Sequence, residues 1–179
     1  VIAAIGQLIP RKGHRYLLDA MASLKRRMSS LRLVVFGQGK LEDELKAQAA
    51  ELQLGEAVRF AGFRADLDDT LGGFDIVVHP ALREGLGVAM LKASAAGVPV
   101  IAFDVAGSRE AVISGVTGML VAPKDVAALE NAIFQLVQNS ALRKKYGEAA
   151  RERMRREFSI EAMVDKHLQL YGSILHDGR

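Results

Sequence analysis

The 179-residue sequence contains no cysteine and no tryptophan, and aromatic residues make up only 6% of it. The absence of cysteine excludes disulfide bonds and thiolate metal sites, and it fits a reducing compartment. No apolar run approaches the roughly 18–20 residues that span a bilayer. The first residues also lack the basic region and the cleavage site of a signal peptide. We therefore expect a cytoplasmic protein.

The sequence has little excess charge of either sign: 24 lysines and arginines stand against 21 aspartates and glutamates, a net charge of +3. Much of the positive excess lies between Arg143 and Arg156. A basic helix can attract nucleic acid or anionic lipid, but glutamates in the same stretch are spaced for local ion pairs. No aromatic stacking platform accompanies these charges, so we expect no nucleic acid partner. Peripheral association of the parent protein with a membrane surface stays open.

Short β-branched runs alternate with segments of helical periodicity along the first two thirds of the chain. Six runs are predicted strands, several of them apolar on both faces: Val1–Leu8, Arg32–Phe36, Val58–Ala61, Ile76–His79, Val98–Phe103 and Met119–Val121. The predicted helices between them are about His14–Met28, Leu41–Leu52, Asp66–Leu71, Val88–Ala96 and Ser108–Ile113. This alternation predicts an α/β, Rossmann-like fold: a parallel six-stranded sheet with helices on both faces.

After Pro123 the pattern is helical only. Asp125 is a predicted N-cap before a run with helical spacing, and a second helix is predicted from about Ala141 to Glu157. A third helix after Ser159 carries an apolar stripe: Ile160, Met163, Val164, His167, Leu168, Tyr171, Ile174 and Leu175. That stripe needs a partner surface. Because we find no repeat or linker, residues 1–179 are predicted to form one domain with a helical C-terminal tail.

Glycine-containing loops follow each of the first five predicted strands. In an open parallel sheet, ligands bind beyond the carboxyl ends of the strands, so these loops form one rim. Gly85-Leu86-Gly87 precedes the helix predicted at Val88, and the amide groups and dipole of a helix N-terminus favour a phosphate. Lys12 can add a positive charge from the opposite loop. The rim is therefore predicted to bind a diphosphate without a metal.

Several polar residues near this rim allow competing interpretations. Glu84 would be repelled by phosphate, so it is predicted to contact a hydroxylated group such as a sugar; the alternative is a solvated loop glutamate. The segment Asp66–Asp69 imitates a metal-binding motif, but aspartates at a helix start commonly act as caps. His14 and His79 are predicted to be structural, and Arg109-Glu110 is predicted to be an ion pair at a helix end.

An ordered series of motifs carries a family resemblance. The motifs are Lys12-Gly13-His14, Leu33–Gly39, Val58–Phe63, His79–Gly87, Ala95–Val100, Gly107–Glu110 and Gly115–Gly118. Together they resemble the retaining GT-B glycosyltransferases of family 4, the "group 1" glycosyltransferases, over nearly the whole chain. The resemblance implies that this chain is one half of a GT-B fold: the C-terminal domain, which binds a nucleoside diphosphate sugar as the donor and needs no cofactor.

The resemblance also implies roles for particular residues. Lys12 would bind the donor diphosphate, and Glu84 would hold hydroxyl groups of the donor sugar and serve as the catalytic residue. Backbone amides near Gly87 would assist, and the segment around Phe63 would lie against the base. The full predicted binding set is Gly6, Gln7, Lys12, Gly13, Gly37, Gly39, Phe63, Arg64, Glu84, Gly85, Leu86, Gly87, Val88 and Lys92, with no metal ligand.

The chain departs from the family pattern at two positions. Gln7 stands where the family usually has an arginine, so one phosphate-binding charge is missing. Lys92 stands where the family has a glutamate on the ribose hydroxyls, and a lysine cannot accept hydrogen bonds from a diol. Lys92 would instead add positive charge near the diphosphate; the alternative is a solvated helix residue.

Two functional hypotheses follow. In the first, the chain is the donor-binding domain of a sugar-transferring enzyme whose N-terminal acceptor domain is absent here, and the chain alone binds the donor without transfer. In the second, which the departures at Gln7 and Lys92 favour, the chain is a non-catalytic module that binds a nucleotide or nucleotide-sugar.

Overall fold

The computed structural model describes residues 1–177 and contains one parallel sheet of six strands. The strands are β1 (Ile2–Ile5), β2 (Leu33–Phe36), β3 (Val58–Gly62), β4 (Ile76–His79), β5 (Val100–Phe103) and β6 (Gly118–Val121). Their order in the sheet is β3-β2-β1-β4-β5-β6. The helices are α1 (His14–Arg27), α2 (Glu42–Glu51), α3 (Leu67–Thr70), α4 (Val88–Ala95), α5 (Ala106–Ala111), α6 (Val126–Gln138), α7 (Ser140–Glu157) and α8 (Ile160–Asp177). The predicted α/β, Rossmann-like sheet is confirmed.

Alternating side chains of the strands feed two hydrophobic clusters, one on each face of the sheet. On β1, Ile2 belongs to the cluster that packs against α1 and α6, whereas Ala3 belongs to the cluster beneath α4 and α5. Every residue of β4 and β5 is buried. Both faces are therefore covered, which explains why the central strands are apolar throughout.

Several predicted boundaries were wrong, among them the start of the fifth strand, which is Val100 rather than Val98. The first strand ends at Ile5 rather than Leu8, because the amide of Leu8 turns to the carbonyl of Gln38, 3.0 Å away. The helix predicted at Ser108–Ile113 is α5, which begins and ends two residues earlier. The amide of Ile113 donates to the Thr117 hydroxyl at 2.8 Å instead of continuing the helix.

The C-terminal region is helical, as predicted. Asp125 caps α6 by accepting a 2.8 Å hydrogen bond from the amide of Ala128, which confirms the predicted N-cap. Ion pairs between Lys144 and Glu148 and between Arg153 and Glu157 lie along α7. Helix α8 leaves most of its predicted apolar stripe exposed, with Leu175 74% accessible. None of the helices in residues 1–177 is both long and apolar enough to cross a bilayer.

A close backbone contact on the carboxyl-end side of the sheet predicts that a side chain at Gly107 is destabilising. Gly107 of α5 packs against the loop between β4 and α4, and a Cβ atom there would lie less than 3.0 Å from the carbonyl oxygens of Glu84 and Gly85. We expect Gly107→Ala to lower the free energy of unfolding by about 1–3 kcal/mol, because the backbone must move. Gly73→Ala is the matched control, since a Cβ there meets open space. Urea unfolding measures both, and equal stabilities would contradict the packing argument.

Candidate functional site

The strand order reverses next to β1, which pairs with β2 on one side and with β4 on the other. The chain therefore continues from β1 to β2 and β3 on one side of the sheet and later crosses to β4 on the other side. The loops at the carboxyl ends of β1 and β4 diverge as a result. A crevice at such a point is where open α/β sheets bind their ligands.

A cavity of about 560 Å³ occupies this crevice. It is lined by Ile5, Gly6, Gln7, Phe36, Gly37, Gln38, Phe63, Arg64, Ala65, Leu67, Asp68, Leu71, Val88, Ala89 and Lys92. Seven residues of the predicted binding set thus come together there: Gly6, Gln7, Gly37, Phe63, Arg64, Val88 and Lys92. Its apolar end includes Phe63, which is 71% exposed.

Lys12, Glu84 and His79 form an ion cluster beside this cavity. The Glu84 Oε2 atom lies 2.5 Å from Lys12 Nζ and 2.6 Å from His79 Nε2, and all three side chains are largely buried. The hydrogen bond to His79, followed by that to Lys12, holds the pKa of Glu84 down at about 2, although burial acts in the opposite direction. Glu84 is therefore a carboxylate at neutral pH, with a fixed orientation.

Local backbone features position this cluster. Pro10 starts a 3-10 turn that ends at Lys12, and Gly13 follows in the left-handed conformation that begins α1. The amide of Leu82 donates to the carbonyl of Arg11 at 2.8 Å, so the loops after β1 and β4 are joined. That bond brings Lys12 to Glu84 across 72 residues of sequence.

Helix α4 begins at the edge of the cavity. Gly87 precedes it with φ of 70°, and no side-chain hydrogen bond caps the helix. A side chain on Gly87 would also collide with Met90. Val88 and Ala89 of the first turn line the cavity, so the positive end of the helix dipole faces the crevice.

Of the predicted site residues, Gly13, Gly39, Gly85 and Leu86 lie outside the cavity lining. Gly13, Gly37 and Gly39 sit where backbones approach: a Cβ would lie less than 3.0 Å from the carbonyl oxygens of Pro80, Gly6 and Leu8, respectively. Of these three, only Gly37 also lines the cavity. Leu86 instead lines a second groove, between α4 and the end of α7, and Gly85 has open space around its α-carbon.

Two interpretations of charged residues need correction, and two further residues have partners that the sequence did not predict. Asp66 does not cap α3, because its carboxylate is held by the Arg64 guanidinium at 2.6 and 2.8 Å. Arg109 pairs with Asp104 at 2.6 Å rather than with Glu110. His79 proved to be a partner of the site carboxylate and not only a packing residue. Glu84, predicted to contact a hydroxylated group, has two partners within the protein, Lys12 and His79.

Sequence reasoning missed the involvement of Asp68, Gln38 and His79. Asp68 lines the cavity and pairs with Lys92 Nζ at 2.6 Å. No local sequence pattern predicts this contact, because the two residues are 24 positions apart. His79 and Glu84 are separated by a turn, and only the folded loop shows them in contact. Within residues 1–177, no group of three or more His, Asp or Glu residues is placed to hold a metal ion.

Comparisons with known proteins match this architecture. Residues 1–153 match the family model described as glycosyl transferases group 1. The lipopolysaccharide core biosynthesis glycosyltransferase LpsE of Rhizobium meliloti is 32% identical over 173 residues, covering 97% of this chain and 50% of LpsE. The chain thus spans about half the length of this relative.

Solved structures agree. Anabaena HepE in complex with UDP and glucose superposes with a TM-score of 0.86 at 26% identity, covering 96% of this chain and 48% of HepE. The C-terminal domain of a group 1 family glycosyl transferase, LpcC of Francisella tularensis, has the same fold, with a TM-score of 0.80 at 24% identity. That match covers 89% of this chain and 86% of the LpcC domain.

Buried His14 gives the site a pH-dependent stability. The side chain lies beside Gly6 and Lys12, and burial, then the proximity of His79, lowers its pKa from 6.5 to about 4. The backbone of Gln7 and Gly6 acts in the opposite direction and favours the protonated form, but neither ring nitrogen has a hydrogen-bond partner among the described residues. The folded protein therefore keeps His14 neutral in mildly acidic solution.

In the unfolded chain His14 takes up its proton near pH 6.5, so the free energy of unfolding should fall as pH decreases from 6.5 to about 4. The full loss is about 3 kcal/mol. We expect His14→Phe to flatten this dependence in urea titrations above about pH 5.5, where Glu84 contributes little because its carboxylate is ionised in both the folded and the unfolded chain; His14→Gln serves if the first variant folds poorly. Exposed His167→Gln is the control. An unchanged slope in both His14 variants would contradict the assignment.

Proposed function

Because the chain belongs to the group 1 glycosyl transferases, we propose that it is the donor-binding part of an enzyme that transfers a sugar from a nucleoside diphosphate sugar to an acceptor. The observation that carries this proposal is the Lys12–Glu84–His79 cluster at the edge of a cavity of nucleotide size. Such a site offers a cation, a fixed carboxylate and an apolar wall. These match a diphosphate, a sugar and a base.

The diphosphate would lie between Lys12 and the first turn of α4. Lys12 supplies a point charge, and the uncapped amide groups near Val88 supply hydrogen-bond donors that need no counterion. The pairing of Lys12 with Glu84 in the present structure means that a bound diphosphate would compete with Glu84 for the ammonium group.

The sugar would lie against Glu84. A carboxylate accepts hydrogen bonds from hydroxyl groups, and His79 would keep Glu84 oriented when Lys12 turns to the phosphates. The base would lie toward the apolar end of the cavity, next to exposed Phe63. Support for a nucleoside diphosphate sugar as the donor comes from HepE, whose solved structures include complexes with UDP and with UDP-glucose.

The proposal extends to the whole enzyme. We infer transfer with retention of anomeric configuration, no metal requirement, and an acceptor site supplied by a second, N-terminal domain. The length ratio to LpsE and HepE supports a second domain, and so does the exposed stripe of α8. Without that domain, the present chain would bind the donor and transfer nothing.

A non-catalytic binding module is the second candidate, favoured by one observation: Gln7 brings a neutral side chain into the cavity beside the proposed phosphate site. The two candidates differ in turnover. Release of free sugar or glycoside from the donor by the chain joined to its N-terminal domain supports the enzyme, and donor binding without any release supports the module.

Lys12→Ala tests the phosphate contact. Loss of a hydrogen bond to a charged group costs about 1.5–3 kcal/mol, so the dissociation constant of a nucleoside diphosphate should rise about 10–150-fold. UDP and GDP titrated by calorimetry are the probes. Lys145→Ala, on the exposed face of α7, is the control and should bind as the unmodified chain does. Unchanged affinity in Lys12→Ala would remove Lys12 from the site.

Glu84→Gln tests the sugar contact. The amide keeps the size of the side chain but removes the charge that attracts Lys12, so affinity for the nucleoside diphosphate should hold or increase. Affinity for the corresponding nucleotide-sugar should fall about tenfold, because the charged acceptor for sugar hydroxyls is lost. Calorimetry with both ligands measures the difference. Equal weakening of both ligands would mean that Glu84 only supports the loop.

A further inference from the structure

An ion pair between Asp68 and Lys92 lies at the cavity and takes no part in the contacts proposed so far. Lys92 Nζ lies 2.6 Å from Asp68 Oδ2, and the pair joins α3 to α4. Both residues line the cavity, and about half of each side chain is exposed. The Oδ1 atom of Asp68 has no hydrogen-bond partner in the described part of the chain.

Asp68 stands on a short but anchored helix. Leu71, directly after α3, is buried in the hydrophobic cluster under α4, and Leu67 packs against the same cluster. The Thr70 hydroxyl donates to the carbonyl of Leu67 at 3.0 Å, which closes the turn. The backbone of Asp68 is thus fixed by its neighbours, while Lys92 fixes its side chain.

The cavity contains one anionic group. Asp68 is the sole carboxylate among the described residues that line it, and the other side-chain acceptors there are the neutral amides of Gln7 and Gln38. A hydrogen bond to a charged acceptor is roughly twice as strong as one between neutral groups. A ligand hydroxyl within the cavity therefore has Asp68 as its strongest acceptor.

Covalent connectivity limits where such a hydroxyl lies. If the phosphates lie at the start of α4 and the base lies near Phe63, the ribose must lie between them in the same cavity. Residues from both ends of that path, Val88 and Phe63, line the cavity together with Asp68 and Lys92. The ribose hydroxyl groups are then the hydrogen-bond donors nearest to Asp68.

Resting on the proposed function, we propose that Asp68, held by Lys92, accepts a hydrogen bond from a ribose hydroxyl and makes the site selective for ribonucleotides over deoxyribonucleotides. Lys92 is the positioning residue. Its charge also cancels that of Asp68, so that a carboxylate is tolerated close to a diphosphate.

The test compares ribo- and deoxyribonucleotides on the full 179-residue chain. UDP and GDP are titrated first by calorimetry, and the tighter ligand is then compared with its 2′-deoxy and 3′-deoxy forms. A hydrogen bond to a charged group predicts that at least one deoxy form binds about tenfold or more weakly. Asp68→Ala should reduce that preference to within about threefold.

Asp69→Ala is the matched control, because Asp69 is exposed on the same helix but does not line the cavity. It should keep the full ribose preference. Lys92→Met should lower the preference and Lys92→Arg should restore it, a pattern that loss of α3 structure alone would not produce. Asp68→Asn, with one neutral acceptor, should fall between Asp68→Ala and the unmodified chain.

The outcomes separate the two proposals. Nucleotide binding with the same ribose preference in Asp68→Ala as in the unmodified chain overturns the role of Asp68 and leaves the proposed function standing. Equal binding of ribo- and deoxyribonucleotides by the unmodified chain overturns it as well. Failure of every nucleoside diphosphate to bind overturns the proposed function, and the ribose contact with it.

Discussion

The arrangement of the crevice depends on one buried carboxylate. Glu84 bonds Lys12 from the loop after β1 and His79 from the end of β4, so it ties together the two loops that the reversal of strand order separates. Breaking a buried ion pair by removing one partner leaves an uncompensated charge. The cluster therefore constrains the loop that leads into α4, and with it the first turn of the helix that faces the cavity.

The same carboxylate has a chemical consequence. Its hydrogen bonds favour the ionised form strongly enough to hold its pKa at about 2, so it remains an acceptor and never a proton donor near neutral pH. It can orient hydroxyl groups or stabilise developing positive charge, but it cannot serve as a general acid. This environment fits the role that we propose for Glu84, which is binding and electrostatic stabilisation at the sugar.

The sheet was predictable from the sequence because hydrophobic periodicity and the loop glycines both follow from local backbone requirements. Lys12, Glu84 and the start of α4 could be placed on one rim for the same reason, since the carboxyl ends of parallel strands lie together. The partners of charged groups could not be predicted. Arg64 with Asp66, Arg109 with Asp104 and Lys92 with Asp68 depend on side-chain positions that only the packed structure determines.

The described cations around this crevice are paired with carboxylates, and this pairing affects how a diphosphate would be bound. Lys12 pairs with Glu84, Lys92 with Asp68 and Arg64 with Asp66, while Gln7 contributes no charge. Three cations paired with three carboxylates leave no net positive charge, so attraction to a diphosphate must come largely from the backbone amides and dipole of α4, or from displacing one of the pairs. The buried Lys12–Glu84 pair is the harder to displace, because the hydrogen bond from His79 would replace only part of the stabilisation that Glu84 loses with Lys12. An exposed ion pair such as Lys92–Asp68 typically contributes less than about 1 kcal/mol. A ribose hydroxyl bonded to Asp68 would hold this carboxylate beside Lys92. Lys92 would then stay with Asp68, and the diphosphate would depend on Lys12 and the amides of α4.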